Sequence, residues 1–234
     1  MDSAVVLLSG GLDSSTCLYY AKDKHETIYT VAFEYGQRHK IELMASEKIS
    51  KLAGAKKHFQ IPVGLDKIGG SALTDNLEVP KGGKDLDKED FIPVTYVPAR
   101  NLVFLSLAAG VAEVTQSSYL YIGANALDYS GYPDCREDFL QAFEKTVQLA
   151  TKHGREGKKL VIKAPLLHKS KSEIAKLASD LNLPLEYTWS CYDPVKRGNT
   201  FFPCGECDSC LLRKRGFEEA GIKDPIWEKG FFAK

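Results

Sequence analysis

Two groups of residues in this sequence have the types and spacing to do chemistry. The first is Ser9-Gly10-Gly11-Leu12-Asp13-Ser14, which joins the apolar run of residues 3–8 (SAVVLL) to a stretch of helical character. Glycines there permit a sharp turn and a close backbone approach. Ser14, Ser15 and Thr16 follow at a helix start, where unpaired N–H groups and hydroxyls together bind anions. Asp13 beside an anion implies either a bound cation or a helix cap. The string lacks the lysine of a G-x-x-x-x-G-K-[ST] P-loop, and it is not G-x-G-x-x-G.

The second group comes late in the chain. Of six cysteines, Cys204, Cys207 and Cys210 form CGECDSC, two overlapping C-x-x-C units, and Cys191 lies across the loop of residues 192–203. C-x-x-C puts two thiolates on one tight turn, and zinc takes four such ligands in a tetrahedron. Iron–sulfur ligation and a redox or sulfur-transfer pair share the spacing. A structural four-cysteine zinc site is the preferred reading, one ion per chain. A disulfide framework is disfavoured, because such frameworks spread their cysteines along short secreted chains. The opening MDSAVVLLSGG also lacks the basic region of a signal peptide. A cytoplasmic location is the expectation. Cys17 and Cys135 have no partner at ligand spacing and read as small buried residues.

A further anion signal lies in HKSKSEIAKLASDLNLP (168–184). Ser170 as N-cap and Glu173 at N3 form a capping box. Ile174, Leu177, Ala178 and Leu181 follow at helical spacing, and Pro184 stops the helix. Capping does not account for Lys169 and Lys171, whose charges oppose the helix dipole. A bound polyanion would offset them.

Elements able to position these groups alternate along the chain. Residues 3–8, 27–35, 56–63, 119–124 and 160–165 read as strands. Helical patterns follow the first strand through Lys24 and cover 38–53, 100–116, the stretch EDFLQAFEKTVQLATKH, and 168–184. The helix over 38–53 is expected to be amphipathic, with Ile41, Met44, Ala45, Ile49 and Leu52 on one side. This β-α alternation predicts an α/β fold, a doubly wound and mostly parallel sheet with helices on both faces. Residues 1–186 are expected to form that domain. Residues 187–234 read as a small C-terminal zinc-binding appendage, too short to fold without metal. Residues 64–94 carry two Gly-Gly pairs and many charges. They read as a mobile lid over the carboxyl edge of the sheet or as a solvated surface excursion.

Composition narrows the function classes. The 234 residues carry 31 Lys+Arg against 31 Asp+Glu, so no overall sign bias points to nucleic acid. No apolar run is long enough to span a membrane.

The whole string S-G-G-L-D-S after an N-terminal apolar strand resembles the loop of the adenine-nucleotide α-hydrolase-like superfamily. FEYGQRH (33–39), VPARN (97–101), DYSGYPDCR (128–136) and the cysteine set occur in the order seen in the 7-cyano-7-deazaguanine synthase family. Glu34 stands where that family's pattern has aspartate. The gap from Cys191 to Cys204 is longer than in many bacterial members.

The resemblance implies a carbon–nitrogen ligase. 7-carboxy-7-deazaguanine, ammonia and ATP would give 7-cyano-7-deazaguanine for queuosine or archaeosine, through adenylated acid and amide intermediates. A thiolation-type tRNA-modifying enzyme of the same superfamily is the alternative. The resemblance implies that the loop, Leu8 through Leu18 with Cys17, holds ATP phosphates and Mg²⁺, with Asp13 central and Lys171 on phosphate. Gln37 and Arg38 would lie near adenine or ribose. Arg100 and Asn101 would meet phosphate or the substrate carboxylate, although a surface arginine is the plain alternative for Arg100. Asp128, Tyr129, Tyr132 and Asp134 would read the base. Asp134 with Glu137 also reads as a capping-box-like pair. A homodimer acting on small molecules, without nucleic acid or membrane, is implied.

Overall fold

The computed structural model describes residues 2–83, 91–126 and 132–232. One parallel sheet carries β1 (Ser3–Leu7), β2 (Thr27–Glu34), β3 (Lys57–Pro62), β4 (Tyr119–Tyr121) and β5 (Val161–Lys163), in the order β3-β2-β1-β4-β5. Central β1 pairs with β2 on one side and β4 on the other. All five of its residues are buried, as its unbroken apolar run requires. Successive side chains point to opposite faces. Val5 and Leu7 therefore enter the core with α3 (Arg100–Thr115) and α4 (Glu137–Ala150). Ala4, Val6 and Leu8 enter the other, with α1 (Leu12–Lys22), α2 (Ile41–Ala53) and α6 (Lys171–Asp180). Fully buried Leu18 and Leu120 anchor these layers, each contributing about 1.5–3 kcal/mol by burial.

The strand order places the site. The chain runs outward from β1 to β3, then returns to the other side of β1 as β4. The connections after β1 and β4 leave in opposite directions, which opens a crevice at the carboxyl ends of the strands.

The C-terminal part holds β6 (Val195–Arg197), β7 (Thr200–Phe202) and β8 (Phe231–Phe232) in a small antiparallel sheet, with α7 (Asp208–Ala220) and α8 (Ile226–Lys229). Its core is shared rather than private: Trp189, Cys191, Cys207, Cys210, Ile226 and Phe231 pack with Ile41 and Ala45 of α2 and with Val79. Arg213 and Asp224 form a buried two-pronged pair at 2.7 and 2.9 Å inside it.

Local differences from the sequence reading have physical causes. α2 starts at Ile41, not at residue 38, and Leu52 is 45% exposed, off the buried stripe. The expected helix over EDFLQAFEKTVQLATKH breaks at Thr151, whose extended backbone ends α4. A short α5 (Lys152–Arg155) follows, capped by the Thr151 hydroxyl. Arg136, not Asp134, is the N-cap of α4. Residues 64–94 are not a free excursion where described: Leu65 and Leu73 join the core, and Ala72 N–H donates to the Val94 carbonyl at 2.8 Å.

Candidate active site

A cavity of about 220 Å³ opens at the carboxyl edge of the sheet. The ends of β1, β2 and β4 reach it through Ser9, Phe33 and Gly123, and the starts of α1, α3 and α6 reach it through Asp13, Arg100 and Lys171. Two glycines let the loop after β1 sit there. Gly10 has φ +84°, and a Cβ on it would lie 2.6 Å from Glu42 O and Ser46 N of α2. A Cβ on Gly123 would lie 2.9 Å from the Ser14 backbone. A larger residue at Gly10 would push the loop off α2, and one at Gly123 would push the start of α1 off the sheet. Gly11, the N-cap of α1, supplies no side-chain cap, so the N–H groups of the first turn remain for an anion.

The loop is internally braced. Ser14 Oγ accepts from Ser9 N–H at 3.2 Å, and the two hydroxyls lie 3.0 Å apart. Both Asp13 carboxylate oxygens are 2.9 Å from Lys171 Nζ. The pair is mostly buried, with side chains 20% and 11% exposed. Lys171 is the first residue of α6, behind the Ser170/Glu173 capping box that the sequence predicts. Its charge at a helix start is therefore met by the Asp13 carboxylate.

A second helix holds Lys171 in place. A Cβ on Gly216 of α7 would come within 2.4 Å of Lys171 Cγ and 2.8 Å of its Cβ. Gly216→Ala is expected to force α6 and α7 apart. The stability loss should be about 1–3 kcal/mol, the usual cost of overpacking, with a raised KM for ATP. Thermal melts and initial rates at varied ATP check this.

Arg100 lies at the first turn of α3, on the cavity wall. Burial opposes its charge, but the surrounding Tyr35, Tyr132, Tyr192 and Cys135 outweigh that, and it stays a cation. Its guanidinium lies 6.0 Å from the centre of the Tyr35 ring, within cation–π range. Asp134 works on the same helix from a distance: its Oδ2 accepts the Asn101 N–H at 2.9 Å. The Asn101 side chain returns bonds to the Asp134 carbonyl and the Cys135 sulfur. Asp134 thus caps α3 across the fold instead of α4 locally, and it is not on the cavity wall.

Of the other sequence candidates, Leu8, Ser9, Gly11, Leu12, Asp13, Ser14, Gln37, Asn101 and Tyr132 line the cavity. Gly10 braces the loop from behind. Ser15, Thr16, Cys17 and Leu18 are fully buried in α1 and face the core instead. Thr16 bonds back to the Leu12 carbonyl, and burial pushes the Cys17 thiol well up. Arg38 turns away to the carbonyls of Asp75 and Leu77. Glu34, the departure from the family pattern, is on the surface against Lys40 at 2.8 Å. Asp128 and Tyr129 lie outside the described residues.

Sequence reasoning missed Tyr35, Glu42, Phe104, Trp189, Tyr192 and Arg213, which also line the cavity. Phe33 and Phe104 stack at 4.2 Å and 16°. With the tyrosines they offer flat apolar surface that suits a planar ring. Trp189 N–H donates to the Gly10 carbonyl at 2.8 Å, fastening the C-terminal part to the loop.

The sulfurs of Cys191, Cys204, Cys207 and Cys210 all lie within 4.8 Å of one another and could hold a metal ion. Cys191 takes its place despite the long gap to Cys204. Backbone N–H groups of Cys204, Glu206 and Cys207 point at cluster sulfurs at 3.3–3.5 Å. Hydrogen bonds from the Cys191 and Cys210 thiols hold Cys207 low, while those two thiols are pushed up. Cys17 and Cys135 are buried and outside this set.

A 7-cyano-7-deazaguanine synthase of Alcanivorax borkumensis is 53% identical over 96% of this chain and 98% of that protein. Relatives of the same name from Desulfatibacillum aliphaticivorans and Coxiella burnetii are 52% and 50% identical, each over 96% of this chain. Among solved structures, a 4-thiouridine synthetase–RNA complex with bound ATP aligns at TM-score 0.48 and 21% identity, over 78% of this chain and 41% of that one. The model of the queuosine biosynthesis protein QueC matches residues 3–221. The chain belongs to the QueC family.

Proposed function

We propose that this chain converts 7-carboxy-7-deazaguanine and ammonia to 7-cyano-7-deazaguanine, using ATP to activate first the acid and then the amide. The observation that carries this is the meeting of the S-G-G-L-D-S loop, the Asp13–Lys171 pair and Arg100 around one cavity, in a chain of the QueC family. A carboxylate is a poor electrophile because its leaving group would be oxide. Transfer of its oxygen to the α phosphorus of ATP makes AMP the leaving group. Repeating the activation on the amide oxygen makes elimination to the nitrile feasible.

The residues divide the work by charge and shape. The uncapped start of α1, Ser9, Ser14 and Lys171 would hold departing pyrophosphate, and Asp13 a Mg²⁺ ion that offsets its charge. Arg100 would receive the substrate carboxylate, for which its planar donor fork is suited. Phe33, Phe104, Tyr132 and Tyr192 would flank the flat base, with Gln37 toward adenine or ribose.

Zinc suits the four sulfurs. Cys204 and Cys210 sulfurs are 3.9 Å apart; a tetrahedron with zinc–sulfur bonds of about 2.3 Å has an edge of roughly 3.8 Å. The ion would hold the start of α7, whose Ser209, Leu212 and Arg213 wall the cavity. A sulfur-transferring tRNA enzyme is disfavoured. It needs a poised thiol outside the metal set, yet burial pushes Cys135 up to about 12 and Cys17 higher. A cytoplasmic homodimer completes the reading; no helix among the described residues is long and apolar enough to cross a membrane.

Mass spectrometry tests the function. With the acid, ATP, Mg²⁺ and ammonia, the nitrile and AMP are expected together, and omission of the acid or ammonia should suppress the nitrile. AMP transfer to tRNA without nitrile would overturn the proposal. Light scattering tests the dimer.

A further inference from the structure

Glu42 stands on the first turn of α2 and borders the cavity together with Arg100, Tyr35 and Gln37. Among the described residues, the acidic side chains on that wall are Asp13 and Glu42, and no histidine lines it. Asp13 has both oxygens on Lys171. Resting on the reaction proposed above, we propose that Glu42 is the catalytic base that takes protons from the reacting nitrogen.

The chemistry requires such a group at that place. Ammonia attacks the acyl carbon, the C–N bond forms, and the C–O bond to AMP breaks. The nitrogen is then left cationic and must lose a proton to become an amide. In the second round the amide oxygen attacks the α phosphorus, pyrophosphate leaves, and the nitrogen gives up another proton. Elimination then takes the last N–H electron pair into the third C–N bond while AMP departs with the C–O pair. All three hydrogens of ammonia leave as protons, and no oxidant or reductant is involved. The acceptor must face the same cavity as the group that holds the carboxylate, as Glu42 and Arg100 do.

The other candidates on the wall are poor acceptors. Burial pushes the Tyr35 and Tyr132 hydroxyls above their usual range and Cys135 up to about 12, so all three keep their protons at neutral pH. Lys171 is paired with Asp13, and Arg213 with Asp224. Burial also pushes the Glu42 carboxyl up to about 7, against the opposing pull of Arg100. A carboxyl there can accept a proton from nitrogen and return it to water between rounds, as a general base near the working pH should. The charged group that acts on it is Arg100 from α3, with the neutral Tyr35 hydroxyl beyond β2 and with Asp13 and Lys171 elsewhere on the wall.

The test compares wild type, Glu42→Gln and Glu42→Asp in the acid-dependent exchange of pyrophosphate into ATP and in amide and nitrile formation. Glu42→Gln is expected to lose less than about threefold in exchange but at least about a hundredfold in both nitrogen steps, the lower range for a lost general base. Glu42→Asp should recover part of that loss. Nitrile formation from supplied amide should rise with pH along a limb near 7 in wild type, and this limb should vanish in Glu42→Gln. A carboxyl raised in the folded state costs stability once pH passes its unfolded value. The melting temperature of wild type should therefore fall below that of Glu42→Gln at pH 8, and the gap should close as pH falls below about 4.5. Wild-type turnover with an unchanged pH limb in Glu42→Gln overturns the proposal, as does equal loss of exchange and nitrogen chemistry. Absence of nitrile from wild type overturns the reaction itself and is read separately.

Discussion

Asp13→Asn is expected to lower AMP formation by roughly 10²–10³-fold while the protein stays folded. The lower bound is what one preorganised electrostatic group commonly supplies to a transition state. Asparagine keeps the shape of the first turn of α1 but removes the negative charge that meets Lys171 Nζ at 2.9 Å through both oxygens. Lys171 then loses the anion that competes with phosphate for it, while the proposed Mg²⁺ site loses its anionic ligand. Apparent ATP affinity should therefore hold or improve as turnover collapses. A group that merely braced the loop would weaken both together. Losing a charge-assisted hydrogen bond should cost about 1.5–3 kcal/mol of stability, visible as a lowered melting midpoint with unchanged far-ultraviolet circular dichroism. AMP and pyrophosphate measured by chromatography at saturating ATP give the result. Near-normal turnover would remove Asp13 from the chemistry.

Cys207→Ala is expected to be the most damaging substitution to the fold. Cys207 is fully buried and precedes α7 as its N-cap. Its sulfur is one of four that lie within 4.8 Å of one another, and its N–H donates to Cys204 Sγ at 3.4 Å. A structural zinc ion contributes roughly 10–16 kcal/mol in small zinc peptides, as much as or more than the whole stability of a typical domain, about 5–15 kcal/mol. Three remaining sulfurs would hold zinc poorly, and the shared core of Trp189, Ile226 and Phe231 would loosen. The damage should reach the active site, because Trp189 holds the Gly10 carbonyl and α7 walls the cavity. Soluble yield should drop severely, and surviving protein should carry little zinc by mass spectrometry of the metal. Cys17→Ala, outside the cluster, is the control that should keep its metal. Full zinc content and an unchanged melting temperature in Cys207→Ala would defeat the structural role.

Local signals in the chain were readable because their causes are short-ranged. The Ser170/Glu173 box satisfies donors of its own helix turn. The glycines after β1 answer to a turn within a few residues. The cysteine spacing answers to the size of one metal ion, and the continuous apolar run of β1 to burial on both faces. Asp134 shows where such reading fails: a carboxylate three residues before Glu137 looks like a local cap, yet it caps α3 instead, 33 positions away in sequence. Arg38 fails likewise, because nearness to the end of β2 does not decide which way a long side chain turns.

The α/β alternation, the glycine-bearing loop after β1, the capped helix behind Lys171 and the four-cysteine set are legible in the chain alone. Each follows from interactions among neighbours or from one ligand's geometry. Tertiary structure alone decided who faces the cavity. Asp13 meets Lys171 across 158 positions, Gly216 of α7 makes room for that lysine, and Glu42 of α2 lines the same cavity as Arg100 of α3. None of these carries a local pattern, because a crevice is defined by where strand ends and helix starts converge. That convergence depends on the order of the strands, a property of the packed sheet and of no single segment.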